Sequence, residues 1–179
     1  MTKSKTTYPT SGRRARRLEI VAFSIEGLGW CYGQKLGPDQ VFAFFDRVTP
    51  TIEPVERLDD AKVVHRCVYI GDGERDGRWS IIGSRSFVPS VPSEFVLWSY
   101  VDSGVRESSW DVRDGRMGNG RPASEEEVRT AFTDAIFSAK SVEETLSKLL
   151  GGEPDWEYDD HKKMRAIVLA RMRARRAGA

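Results

Sequence analysis

Val41-Phe42-Ala43-Phe44-Phe45 is apolar at every position. Successive side chains of a strand point to opposite faces, so a run without polar alternation must be covered on both sides. The stretch therefore predicts a central strand with material packed above and below it. Two neighbouring runs do alternate. Gly29 to Leu36 sets Trp30, Tyr32 and Gln34 against Cys31, Gly33 and Lys35. Glu94 to Val101 sets Phe95, Leu97 and Val101 against Glu94, Val96, Trp98 and Tyr100.

Working outward, Glu19 to Ile25, Gln40 to Val48, Lys62 to Ile70, Arg78 to Gly83 and Ser108 to Val112 are also rich in β-branched and aromatic residues, the composition of strands. Glu26-Gly27-Leu28-Gly29 and Gly37-Pro38-Asp39 supply turns between the first three strands. Connections this short make antiparallel hairpins, because a parallel pair needs a crossover of about a dozen residues or more. Pro54 to Asp60 reads as a short helical turn.

The pattern changes after Val112. Gly115-Arg116-Met117-Gly118-Asn119-Gly120-Arg121-Pro122 is a glycine-rich break of the kind that ends a substructure. Ser124 with Glu127 then matches a helix capping box, followed by Val128, Ala131, Phe132, Ala135 and Ile136 at helical spacing. Ser141 with Glu144 repeats the cap. Val142, Leu146, Leu149 and Leu150 form the next stripe, ended by Gly151 and Gly152. A third helix is expected from about Asp159 to Arg175, with Met164, Ile167, Val168 and Met172 on its apolar side. Sheet first and helices last is an α+β arrangement. The expectation is a curled antiparallel sheet or partial β-barrel with C-terminal helices. It divides into a basic flexible arm (1–17), a β-rich domain (18–114) and a helical C-terminal extension packed on or beside it (115–179).

A chain of 179 residues suits one domain with appended segments. It is long enough to bury a core without metal or disulfides. With 28 Lys+Arg against 27 Asp+Glu, the net charge of +1 excludes a bulk electrostatic pull toward nucleic acid or membrane. Cys31 and Cys67 lie in apolar strand-like runs and behave there as small hydrophobes. Two such cysteines make no disulfide framework, which points to a reduced, cytoplasmic protein. Arg13, Arg14, Arg16 and Arg17 precede an apolar run, but Glu19 and Glu26 bracket it and no small-residue cleavage site follows. No stretch reaches the roughly 18 apolar residues that cross a bilayer, so no membrane partner is expected.

Catalysis needs a nucleophile, a base and an orienting group. Of the two histidines, His65 sits on a strand two residues from Cys67, sharing its face, and His161 opens the last helix. A Cys67–His65 or Cys31–His65 pair would lack an evident third member, so no catalytic residue is assigned. Zinc spacings such as C-x-x-C and H-E-x-x-H are missing, and no metal or other cofactor is expected. Asp72-Gly73-Glu74-Arg75-Asp76-Gly77 imitates the start of a calcium loop, but the ligand needed at its twelfth position falls on Gly83. It reads instead as a polar turn before Trp79. The glycines and arginines of Gly115 to Arg121 lack the lysine and hydroxyl of a phosphate loop.

Basic residues cluster at Arg13 to Arg17 and again at Lys162, Lys163, Arg165, Arg171, Arg173, Arg175 and Arg176, with an acidic stretch from Glu125 to Asp160 between them. The plain reading is a solvated helix face facing those acids. The sharper one is nucleic-acid contact through Arg13, Arg14, Arg16, Arg17, Arg171, Arg173, Arg175 and Arg176, with steep salt dependence. The near-neutral total and the want of interleaved aromatics on the basic helix weigh against it. Trp30, Trp79, Trp98, Trp110 and Trp156 are many for one domain. Most belong to a core, while Trp98 and Tyr100 beside Glu94 form the better exposed binding face.

Gly29-Trp30-Cys31-Tyr32-Gly33-Gln34-Lys35-Leu36, Val41-Phe42-Ala43-Phe44-Phe45-Asp46 and Gly77-Arg78-Trp79-Ser80-Ile81-Ile82-Gly83 occur in that order, the last before a proline-containing loop. In order and spacing, about Glu19 to Val112 resembles the Imm26 group of immunity proteins from bacterial polymorphic toxin systems. That resemblance implies a small β-rich domain that binds and neutralises a cognate toxin without catalysis. Asp72, Glu74, Asp76, Glu94, Trp98 and Tyr100 are the expected partner contacts. Such carboxylates would steer a basic toxin, a nuclease for example. The alternative is a nucleic-acid-binding or regulatory module using the arginine-rich ends.

Overall fold

The computed structural model describes residues 17–37, 40–99, 108–113, 116–133, 136–152 and 159–178. The residues of the predicted arm up to Arg16, the Pro38-Asp39 turn, Tyr100, Ala135 and Trp156 lie outside them. β1 (Leu18–Ile25) and β2 (Gly29–Lys35) form the first hairpin. Gly29 has φ +127°, and a Cβ there would lie 2.7 Å from the Thr49 carbonyl oxygen; only glycine fits the turn. β3 (Val41–Thr49) pairs antiparallel with β2. A 3-10 turn over Val55–Leu58 then leads to β4 (Val63–Tyr69), antiparallel to β3. The short helix α1 (Asp72–Arg75) precedes β5 (Trp79–Arg85), which returns to pair with β1. β3 thus lies inside the sheet, and all five residues from Val41 to Phe45 are fully buried.

A second sheet begins with the hairpin of β6 (Glu94–Ser99) and β7 (Ser108–Arg113). β8 (Arg116–Met117) and β9 (Arg121–Pro122) both pair with β7. The glycine-rich stretch expected to end the β region therefore extends it, and the Gly118 N–H donates to the Asp111 carbonyl at 2.8 Å. α2 (Glu125–Thr130) follows, then β10 (Phe132–Thr133), parallel to β6, and β11 (Ile136–Phe137), parallel to β4. Within a few residues the chain crosses from the second sheet to the first. The chain ends in α3 (Ala139–Leu150) and α4 (Asp159–Ala177).

Strand alternation turns this topology into layers. Ile20, Ala22, Tyr32, Ala43 and Phe45 of the first sheet meet Leu97 and Val112 of the second. Val21, Phe23, Cys31, Phe42, Phe44 and Trp79 face the other way and are covered by Ala139, Val142 and Leu146 of α3. The outer face of the second sheet carries Trp98, covered by Val128 of α2 and Val168 of α4. The order is α3, first sheet, second sheet, then α2 with α4. The fold is α+β as expected, with mostly antiparallel sheets that are not closed and helices at the C-terminal end.

Two helix readings are corrected. The capping box at Ser124 is present, with the Ser124 hydroxyl accepting from the Glu127 N–H and the Glu127 carboxylate accepting from the Ser124 N–H. That helix stops at Thr130 instead of continuing to Ile136, because Ala131 is extended (φ −77°, ψ 156°) and the next residues join sheet ladders. Arg165 replaces the missing turn by donating to the carbonyls of Val128 and Ala131. The second cap is Ser138, whose hydroxyl accepts from the Ser141 N–H. Short strands of 115–179 pair with β4, β6 and β7 and so enter both sheets.

Candidate functional site

The residues singled out from the sequence fall on different layers. Asp72 accepts a hydrogen bond from the Ala139 N–H at 2.8 Å and so satisfies the start of α3. Glu74 accepts from the Tyr69 hydroxyl at 2.7 Å, while that hydroxyl accepts from the Gly73 N–H. Burial, with Glu74 beside it, pushes the Tyr69 phenol well above its ordinary pKa. The loop read as a polar turn is a helix folded inward, and its first two carboxylates hold α1, β4 and α3 together. Asp76 stays exposed beside Arg75.

Glu94 and Trp98 do share a face of β6, but their surroundings differ. Glu94 is exposed, 3.8 Å from Arg113 across the strand pair. Trp98 is only 1% exposed. Its Nε1–H donates to the Ala131 carbonyl at 3.1 Å, and the Arg165 guanidinium lies 5.2 Å from its ring centroid. The expectation of Trp98 as a surface anchor is therefore corrected: α2 and α4 cover it. Tyr100 lies outside the described residues.

Of the arginines, Arg13, Arg14 and Arg16 also lie outside them, and Arg17 is exposed at the start of β1. Arg171, Arg173, Arg175 and Arg176 are exposed on the last turns of α4, with Arg176 3.0 Å from Glu125. Cys31 and Cys67 are both buried. Burial raises the Cys31 thiol to about 12 and the Cys67 thiol well above its usual value, so neither is a ready thiolate. His65 is buried with its ring 6.1 Å from Phe44 and 5.1 Å from Phe137. The Cys67–His65 pair thus lies inside the packed layer under α3. Among the described residues no group of three or more His, Cys, Asp or Glu could hold a metal ion, and no helix is long and apolar enough to cross a membrane.

What the helices leave uncovered is the other end of that same strand face. Glu94 and Val96 stand opposite Arg113 and Asp111 in register. With Phe95 and Val112 they line a shallow hollow of about 260 Å³. Arg121 anchors one side of this face, donating to Asp111 at 2.8 Å and also to both oxygens of Glu127. The Arg121 pairing holds the Glu127 carboxyl near 2, with Ser124 adding to it against the opposing effect of burial. Sequence reading found Glu127 only as a cap. Nothing in the spacing of Asp111, Arg121 and Glu127 announces that three elements bring them together.

A pH dependence follows from that pairing. The folded-state pKa of Glu127 is depressed from 4.5 to about 2. Its contribution is present above the unfolded value and is lost as pH falls through the folded one. With partial solvation it amounts to about 1–2 kcal/mol at neutral pH. Glu127→Gln is expected to lower stability in urea by that amount at pH 7. The gap should narrow below pH 4.5 and nearly close around pH 2; a gap of constant size across that range contradicts the assignment.

Compared with protein-family models, curated proteins and solved structures, the chain matches none.

Proposed function

We propose that this chain is a non-enzymatic immunity protein of Imm26 type, which binds a cognate bacterial toxin and neutralises it by covering an essential surface. The observation that carries the reading is the uncovered patch of Glu94, Val96, Asp111 and Arg113 around a shallow hollow, set on two sheets packed through a continuous core. Strands buried on their inner face present such a patch with little rearrangement, which suits rigid docking. The sequence resemblance over Glu19 to Val112 supports the same reading. Asp72, Glu74 and Trp98 are engaged inside the fold. Of the expected contacts among the described residues, Asp76 and Glu94 are the exposed ones, each beside an arginine. A partner with charges of both signs around an apolar centre fits this patch better than a uniformly basic one. The reading places the chain in the cytoplasm, a compartment that suits two buried free thiols.

Co-expression with the toxin encoded beside this gene tests the proposal. The expected result is rescue of growth and a complex that co-elutes. Val96→Arg, at the centre of the patch, is expected to weaken that complex by about tenfold or more. A toxin that stays lethal, with no complex recovered, overturns the proposal. The exposed Arg171 and Arg173 of α4 favour the nucleic-acid alternative. Micromolar binding to DNA or RNA that collapses with added salt would select it instead.

A further inference from the structure

On another part of the molecule, the end of β5 and the 3-10 turn at Val55–Leu58 border an open cleft of about 400 Å³ with Arg17, just before β1. That volume lies within the range of small-ligand sites. Its wall carries Arg17, Glu56, Asp59, Ser84, Arg85 and Ser86. The charges are not equivalent. Arg85 and Asp59 are bonded to each other, and Arg85 Nη1 donates to the Val55 carbonyl at 2.9 Å. This leaves one cation, Arg17, and one anion, Glu56. Among the described residues neither has an ion-pair partner, although both line the same cleft.

The Arg85 side chain is four-fifths buried, with its Nη groups held by the Val55 carbonyl and Asp59, so the wall between Arg17 and Glu56 is fixed in place. A carboxylate is the natural acceptor for a guanidinium edge, and Ser84 and Ser86 line the same wall.

We infer that this cleft binds a small zwitterion, a free amino acid or short peptide, with its carboxylate toward Arg85 and Arg17 and its ammonium toward Glu56. A simple anion would gain Arg17 and Arg85 but would meet the Glu56 carboxylate. A simple cation would meet Arg17. Only a ligand bearing both charges matches the wall. The site is separate from the proposed toxin-contact patch, which lies on the outer face of the second sheet, and stands whether or not that proposal holds.

Glycylglycine titrated into the full chain, followed by amide NMR, tests this, with N-acetylglycine, glycinamide and inorganic phosphate run in parallel. The expected result is saturable, millimolar binding of glycylglycine that shifts the amides of Glu56 and Ser84 to Ser86, with at least tenfold weaker responses to the other three probes. Arg17 and Glu56 are exposed, so Arg17→Gln and Glu56→Gln are expected to fold normally and each to weaken glycylglycine binding about tenfold. No saturable shift by 50 mM, an equal response to all four probes, a response to phosphate alone, or unchanged binding in both variants overturns the inference.

Discussion

Trp79→Ala is expected to remove about 3–5 kcal/mol of stability, a large part of the roughly 5–15 kcal/mol that a folded protein usually has. The indole is sandwiched between Phe23 and Tyr69, with ring centroids 4.2 and 4.4 Å away and both pairs within 15° of parallel. Phe44 meets it edge-on at 5.8 Å. Its Nε1–H donates to Glu143 of α3 at 2.8 Å, so one side chain ties β1, β3, β4 and β5 to the helix that covers them. Deletion leaves a cavity among the aromatic rings of β1, β3 and β4, which cannot collapse cheaply. Gly73 already stands close: a Cβ on it would lie 2.7 Å from the indole, so the neighbours are fitted to this ring. Urea unfolding followed by far-UV circular dichroism measures the loss. Trp79→Phe, which keeps the stack but not the hydrogen bond, should lose about half as much. A Trp79→Ala variant within 1 kcal/mol of the parent contradicts the packing role.

The second large effect is expected at Trp98, where it separates two readings of one residue. An exposed anchor replaced by alanine would leave the fold intact and abolish partner binding. The observed burial against Val128 and Val168, under the Arg165 guanidinium, predicts release of the outer helical layer instead. Loss of the indole removes the contact that α2 and α4 share. The expected cost of about 3 kcal/mol corresponds to roughly 100-fold faster amide exchange along α4. Trypsin should then cut at Arg171 and Arg173 at least tenfold faster than in the parent, while the first sheet keeps its protection. Unchanged exchange in α4 would show that the helix does not depend on this ring. Arg165→Met, which keeps the length of the stem but loses the donors to α2, should show a smaller change in the same direction.

How far each feature was legible follows from the range of the interaction that decides it. Val41 to Phe45 could be placed inside a sheet because the demand for cover on both faces is local to five residues. The hairpin turns were legible because Gly27 and Gly29 adopt positive φ that few other residues tolerate. The caps at Ser124 and Gly151 were legible because a helix end needs a partner within a few residues. The helical spacing of Val128, Ala131, Phe132 and Ile136 misled, since parallel pairing with β6 and β4 outweighs so short a periodic signal. The acidic loop misled for a related reason. Asp72 and Glu74 look like solvent-facing charges until the start of α3 and the Tyr69 hydroxyl, brought in from elsewhere in the chain, supply their partners.

The order of residues by itself settled the seven strands from Leu18 to Arg113 and the helix starts near Ser124 and Asp159, though not the short strands between 116 and 137, because backbone propensity, turn chemistry and side-chain alternation act between near neighbours. Only the tertiary structure decided which faces are left for other molecules. Whether Trp98 is a contact or a core residue depends on α4, some seventy residues further on, folding back over β6; whether Arg17 and Glu56 share one cleft depends on β5 returning to pair with β1. Exposure is a property of the packed whole, set by burial of apolar area between segments far apart in the chain, and no local pattern contains it.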